Sequence, residues 1–139
     1  MMFKKATSLF YENPKKLFLI DGLGAISSAF LLGIILVKLE AIFGIPASTL
    51  YLLAAFPVLF AIYDFFSYRT EKSNYAGLLK GIAIFNMLYC FLSIGFAVFH
   101  FDIITLWGWA YILGEVLIVV LLAIIELRVA NRLKTLVKN

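Results

Sequence analysis

The chain has 139 residues, of which 64% are hydrophobic and 14% charged, against about 25% charge in a soluble domain. A fold this small has too much surface to hide so much apolar content from water, which excludes a soluble globular domain and makes the bilayer its natural solvent. The formal net charge of +4 sits at the ends of apolar runs, so it points to membrane orientation and anionic headgroups, not to a nucleic-acid partner.

Residues 1–16 place Phe3, Leu9, Phe10 and Tyr11 among Lys4, Lys5, Lys15 and Lys16. This basic segment reads either as a short amphipathic helix on the membrane surface, ended at Pro14, or as a loose tail. Four apolar runs follow, at 17–38, 47–67, 78–99 and 104–128. Each is long enough to cross roughly 30 Å of hydrocarbon as a helix at about 1.5 Å per residue. Lipid offers no partner to an open backbone group, so helices are the form expected. The breaks agree: Gly44 and Pro46 in the first, "YRTEKSNYAG" in the second and "HFDIIT" in the third. The first run is too long for a signal peptide, contains Asp21 and precedes no clean small-residue cleavage site, so it counts as the first span. No linker longer than about ten residues interrupts the chain, and a single domain is expected.

Of the twelve Lys and Arg residues, all but Lys38 fall on the side of the termini and the second loop. The positive-inside rule then puts both termini in the cytoplasm and argues against a dual-topology protein.

The polar residues inside the spans fall on helical stripes. In the first span Asp21, Ala25, Ala29 and Gly33 recur every fourth residue, flanked by Gly24 and Ser28. Small side chains at this spacing let a neighbouring helix approach closely. Ala54, Pro57, Ala61, Asp64 and Tyr68 share one face of the second span. Asn86, Cys90, Ser93, Ala97 and His100 share a face of the third, and Gly108, Tyr111, Glu115, Leu122 and Glu126 one of the fourth. Stripes of this kind are satisfied by facing one another, so the expected fold is an all-α bundle of four transmembrane helices. Counting rise per residue, Asp21 lies about 6 Å from the cytoplasmic end, Asp64 about 5 Å, Asn86 about 9 Å and Glu115 about 16 Å. Asp21, Asp64, Asn86 and Glu126 thus form one expected polar cluster in the inner half, with Glu115 further along the axis.

An acid near the middle of a membrane costs about 2.5 to 3.5 kcal/mol on insertion scales, so it faces the bundle and is paired, hydrated or protonated. Asp21 and Asp64 suit cross-helix bonds to Tyr, Asn or Lys80 as well as they suit a functional role. Glu115 is too deep to snorkel to water and is the strongest candidate for handling an ion, a proton or a ligand, or for a key polar contact across a subunit interface. His100 lies too far from Ser93 for a catalytic dyad, at about 10 Å along the helix. Cys90, the lone cysteine, excludes an internal disulfide and reads as a packing residue. Oxygen ligands such as these acids suit a hard cation, but no dense acidic motif supports a metal centre, and no cofactor is expected.

The segments "LFLIDGLGAISSAFLLG", "STLYLLA", "YCFLSIG" and "AIIELRVA" resemble a group of small four-span bacterial membrane proteins to which no activity is attached. The resemblance covers nearly the whole chain. It implies a bacterial inner membrane and a four-span architecture, and it transfers no site residue. Three function classes follow. The first is a small oligomeric transporter or ion- or proton-binding protein using Glu115 with Asp21, Asp64, Asn86 and Glu126. The second is a non-catalytic accessory protein that docks another membrane protein. The third, a lipid-acting enzyme, is the least favoured. The expected partners are the lipid bilayer and either a second copy or another membrane protein.

Overall fold

The computed structural model describes residues 2–138, with side chains described at 4, 5 and 7–135. The side chains of Phe3 and Lys138, used above, lie outside the described residues. Helix α1 runs over Met2–Glu12, and α2 over Lys15–Lys38 with a π-helical turn at Leu31–Ile35. A short α3, Glu40–Phe43, leads to α4, Ala47–Tyr68. Helix α5 covers Tyr75–Phe99 and α6 covers Leu106–Lys138. Among the described residues, four helices are long and apolar enough to cross a membrane: Lys15–Lys38, Ala47–Tyr68, Lys72–Phe99 and Leu106–Thr135. The protein is therefore an all-α, multi-pass four-helix bundle.

Its surface confirms the inside-out arrangement that lipid demands. Large apolar side chains stand exposed along every span, among them Ile26, Phe66, Phe91 and Ile118. Two apolar clusters fill the interior. One, around Leu32, Leu50, Leu53, Tyr89 and Ile112, lies toward the loop end. The other, around Leu17, Phe18, Leu79, Ile82 and Val129, lies toward the termini. The amphipathic segment is a helix: α1 packs against the C-terminal part of α6, where the Arg132 guanidinium sits 4.2 Å from the Tyr11 ring. That contact selects the helical alternative over a loose tail and gives it protein to lie on.

Small residues set the helix pairings. A Cβ added at Gly33 would meet the Ala54 side chain at 3.3 Å, and one at Gly22 would meet Asp64 at 3.3 Å. These close approaches seat α2 along α4. Helix α5 packs along α6, and α4 joins the two pairs by crossing α5. Tyr63 spans that crossing over Gly81 and donates to the Leu78 carbonyl at 2.8 Å. Among the described residues α2 and α6 scarcely touch. Helix α2 meets α4 on the side of Gly22 and Gly33, while Gly24 and Ser27 are left exposed at the gap toward α6.

The loop end is stitched by backbone. Thr105 donates its N–H to the Phe43 carbonyl at 3.1 Å and its hydroxyl to the Ile42 carbonyl. Glu40 accepts from the Ala47 N–H at 3.0 Å, supplying the start of α4 with a side-chain acceptor. Thr49 Oγ1 and His100 Nε2 lie 2.8 Å apart and tie α4 to the end of α5. Gly44 closes α3 at φ 72°, and a Cβ there would collide with the Ile103 carbonyl oxygen. Gly44→Ala is expected to cost about 1–3 kcal/mol, from left-handed backbone strain together with displacement of the 103–105 segment. Unfolding in mixed detergent micelles measures this, and an unchanged midpoint would refute the stitched-loop account.

Candidate functional site

On each span the expected polar residue falls between the two apolar clusters. Asp21 follows Leu17 and Phe18 on α2, Asp64 sits on α4, Asn86 separates Ile82 from Tyr89 on α5, and Glu126 precedes Val129 on α6. All four are buried, Asp64 at 1% exposure, Glu126 at 0% and Asp21 at 4%. The Asn86 amide is the hub. Its Nδ2 donates to Asp21 Oδ1 at 2.8 Å and to Glu126 Oε1 at 3.1 Å, so one side chain of α5 bonds α2 and α6 together. Asp64 lies against Asp21 across the α2–α4 contact, over the Gly22 backbone. The structure thus assembles the cluster expected from the spacing. Lys80, weighed as a partner for the acids, is exposed instead.

Glu115 lies apart from that cluster and is half-buried. Its two oxygens are held separately: Tyr89 on α5 donates to Oε1 at 2.6 Å, and Tyr111, one turn earlier on α6, donates to Oε2 at 2.7 Å. Both oxygens of Glu115 thus accept from phenol hydroxyls, one on each of two helices. The Tyr111 bond was written in the four-residue spacing of one helix face. The Tyr89 bond has no such signal, because its reach to Glu115 depends on how α5 and α6 are rotated against each other.

The gap between α2 and α6 is a cavity of about 460 Å³. Gly24, Ser27 and Ser28 form its rim on α2, and Ala110, Gly114 and Ile118 form the rim on α6. Pro57 and Phe60 of α4 make the rear wall. Asp21 and Asn86 line it near the termini, and Glu115 with Tyr89 and Tyr111 lines it further along. The π-helical turn begins at Leu31, which also lines the cavity, so the irregular stretch of α2 adjoins the opening. The cavity has no signal in the sequence: it exists because α2 pairs with α4 through Gly22 and Gly33 and, among the described residues, scarcely touches α6.

The remaining candidates have ordinary packing roles. Cys90 is buried with its thiol directed at the Val116 carbonyl at 3.9 Å. His100 bonds Thr49 at the loop end, away from both acid sites. Among the described residues, no group of three or more His, Cys, Asp or Glu side chains is arranged to hold a metal ion. Comparisons with protein-family models, with curated proteins and with solved structures found no match.

Proposed function

We propose that the protein is a small cation-binding transport protein of the bacterial inner membrane, with both termini in the cytoplasm, and that its ligand enters the cleft between α2 and α6 and pairs with Glu115. The observation that carries this reading is the cleft itself, which brings an intramembrane carboxylate to the wall of a 460 Å³ space. That volume falls within the roughly 300–1,000 Å³ typical of small-molecule sites. The charge balance favours a cation. No Lys or Arg occurs at 17–37, 47–68, 81–99 or 106–127, so the basic residues stand at the ends of the spans and not along their apolar stretches. The aromatic faces of Phe60, Tyr89 and Tyr111 beside Glu115 suit an organic, weakly hydrated cation better than a small metal ion. The lateral gap gives such a ligand access from the bilayer.

A second reading rests on the rims. Gly24, Ala110 and Gly114 are exposed small residues that another transmembrane helix, from a second copy or a different protein, would fit closely. The two readings differ in what removing the charge does. Glu115→Gln keeps the shape and a hydrogen-bonding partner for the tyrosines while losing the anion. Binding of radiolabelled tetraphenylphosphonium to purified protein is expected to weaken by about 10- to 100-fold in this variant, the equivalent of a charge-assisted contact of ~1.5–3 kcal/mol. Flux of the same ion into proteoliposomes is expected to fall with it. Unaltered affinity in Glu115→Gln would sink the cation reading and leave helix docking.

A further inference from the structure

The three-acid cluster behind the cleft poses a donor problem that the cation reading leaves open. Among the described residues no donor reaches Asp21 Oδ2, either oxygen of Asp64, or Glu126 Oε2, and all these atoms are buried. Asn86 directs its amide nitrogen to the other oxygens of Asp21 and Glu126, and that amide has only two hydrogens to give. Among the described residues, the hydroxyls nearest the cluster are already committed. Tyr63, on α4 beside Asp64, gives its hydroxyl to Leu78, and Tyr89 on α5 gives its own to Glu115. Lys15, at the start of α2, is held 4.4 Å from the Tyr68 ring centre, while Lys80 is exposed. Three anions in this space, facing one amide, would be far costlier than any pairing the site offers. Carboxyl groups lacking donors can supply the donors themselves, since a protonated carboxyl has one O–H to give. Asp64 and Glu126 both lie within hydrogen-bonding reach of Asp21.

We propose that Asp64 and Glu126 each hold a proton and donate it to Asp21, so that the cluster is a two-proton site presenting a single negative charge. Asp21 is the member of the three that lines the cleft. It is therefore the carboxylate, accepting from Asn86, Asp64 and Glu126 at once. This inference rests on the cation reading for its consequence: a cation held in the cleft that Asp21 and Glu115 both line raises the positive potential at Asp21 and stabilises a second negative charge in the cluster. The O–H bond of Asp64 or Glu126 then breaks, its electron pair stays on the carboxylate, and the proton passes to bulk water. Cation binding and proton release become linked at one site.

The test is infrared difference spectroscopy of the purified full chain in lipid nanodiscs, reading the C=O bands of protonated carboxyls and their shift in heavy water. At neutral pH two buried bands are expected. Asp64→Asn should abolish one and Glu126→Gln the other. Both variants should melt close to the native protein, because an amide donates as the protonated acid does. Asp21→Asn should melt well below it, since it replaces one of the two acceptor oxygens with an NH2 donor that faces other donors. Absence of buried carboxyl bands, or bands that survive in both Asp64→Asn and Glu126→Gln, would overturn the assignment. So would an order of stability in which Asp21→Asn is the best tolerated of the three. Addition of tetraphenylphosphonium in weak buffer should release protons from the native protein and not from the Asp64→Asn, Glu126→Gln double variant. Failure of that ion to bind would reject the cation reading while the infrared bands still decide the proton assignment.

Discussion

Asn86→Leu is expected to destabilise the bundle by about 3–5 kcal/mol, the scale seen when a buried polar network loses the partner that holds it together. Leucine matches asparagine closely in size, so the loss is not a cavity effect. It arises because Asn86 is the donor shared by Asp21 on α2 and Glu126 on α6, which otherwise scarcely touch. Without it, two buried acids each lose a hydrogen bond and the two helix pairs lose their polar link at the termini end of the cleft. Asn86→Gln keeps the amide but displaces it by one methylene, and an intermediate loss is expected. Unfolding in mixed detergent micelles, followed by circular dichroism, measures both. An Asn86→Leu midpoint equal to that of the native chain would show that the apolar clusters alone hold α6 in place.

That result would also bear on how much of the site is written in the sequence. The four spans and the polar stripes follow from apolar length and helical spacing, because lipid leaves the backbone no other choice, but α6 continues to Lys138, past the apolar run that ends at 128. The cluster of Asp21, Asp64, Asn86 and Glu126 was legible for the same reason: each lies on a stripe, and each is at a similar depth. The bond from Tyr111 to Glu115 was legible too, being an i, i+4 pair. Three features were not. The spacing of α2 offers adjoining surfaces, one with Asp21, Ala25 and Gly33 and one with Gly24 and Ser28. Which of them meets α4 is decided by tertiary packing at Gly22 and Gly33. The cleft follows from that choice and so was hidden with it. The π-helical turn at Leu31–Ile35 has no local signal beyond Gly33 within an aliphatic run. The link between Tyr89 and Glu115 depends on the rotation of α5 against α6.

The cleft makes the last and most direct demand on the cation reading. A Cβ added at Gly114 or at Gly24 meets no heavy atom within 4 Å, so both rims have room for a side chain without disturbing the bundle. Gly114→Trp places a large ring at the mouth, one residue from Glu115. Glycine costs an exposed helix roughly 1 kcal/mol relative to a better helix former, so the substitution should leave stability unchanged or slightly improved. Binding of tetraphenylphosphonium should nevertheless fall by more than about 100-fold, beyond ~2.7 kcal/mol, because steric exclusion removes every contact at once and not the charge alone. The carboxylate and its two tyrosines remain in place, which separates blocked access from lost chemistry. Gly24→Trp, approaching from α2, should give the same loss although it lies on a different helix from Glu115. If the ion binds the two tryptophan variants as it binds the native protein, its site lies elsewhere. If both variants instead lose a co-purifying second copy, the gap between α2 and α6 is a seat for a helix, and Glu115 is a contact across an interface.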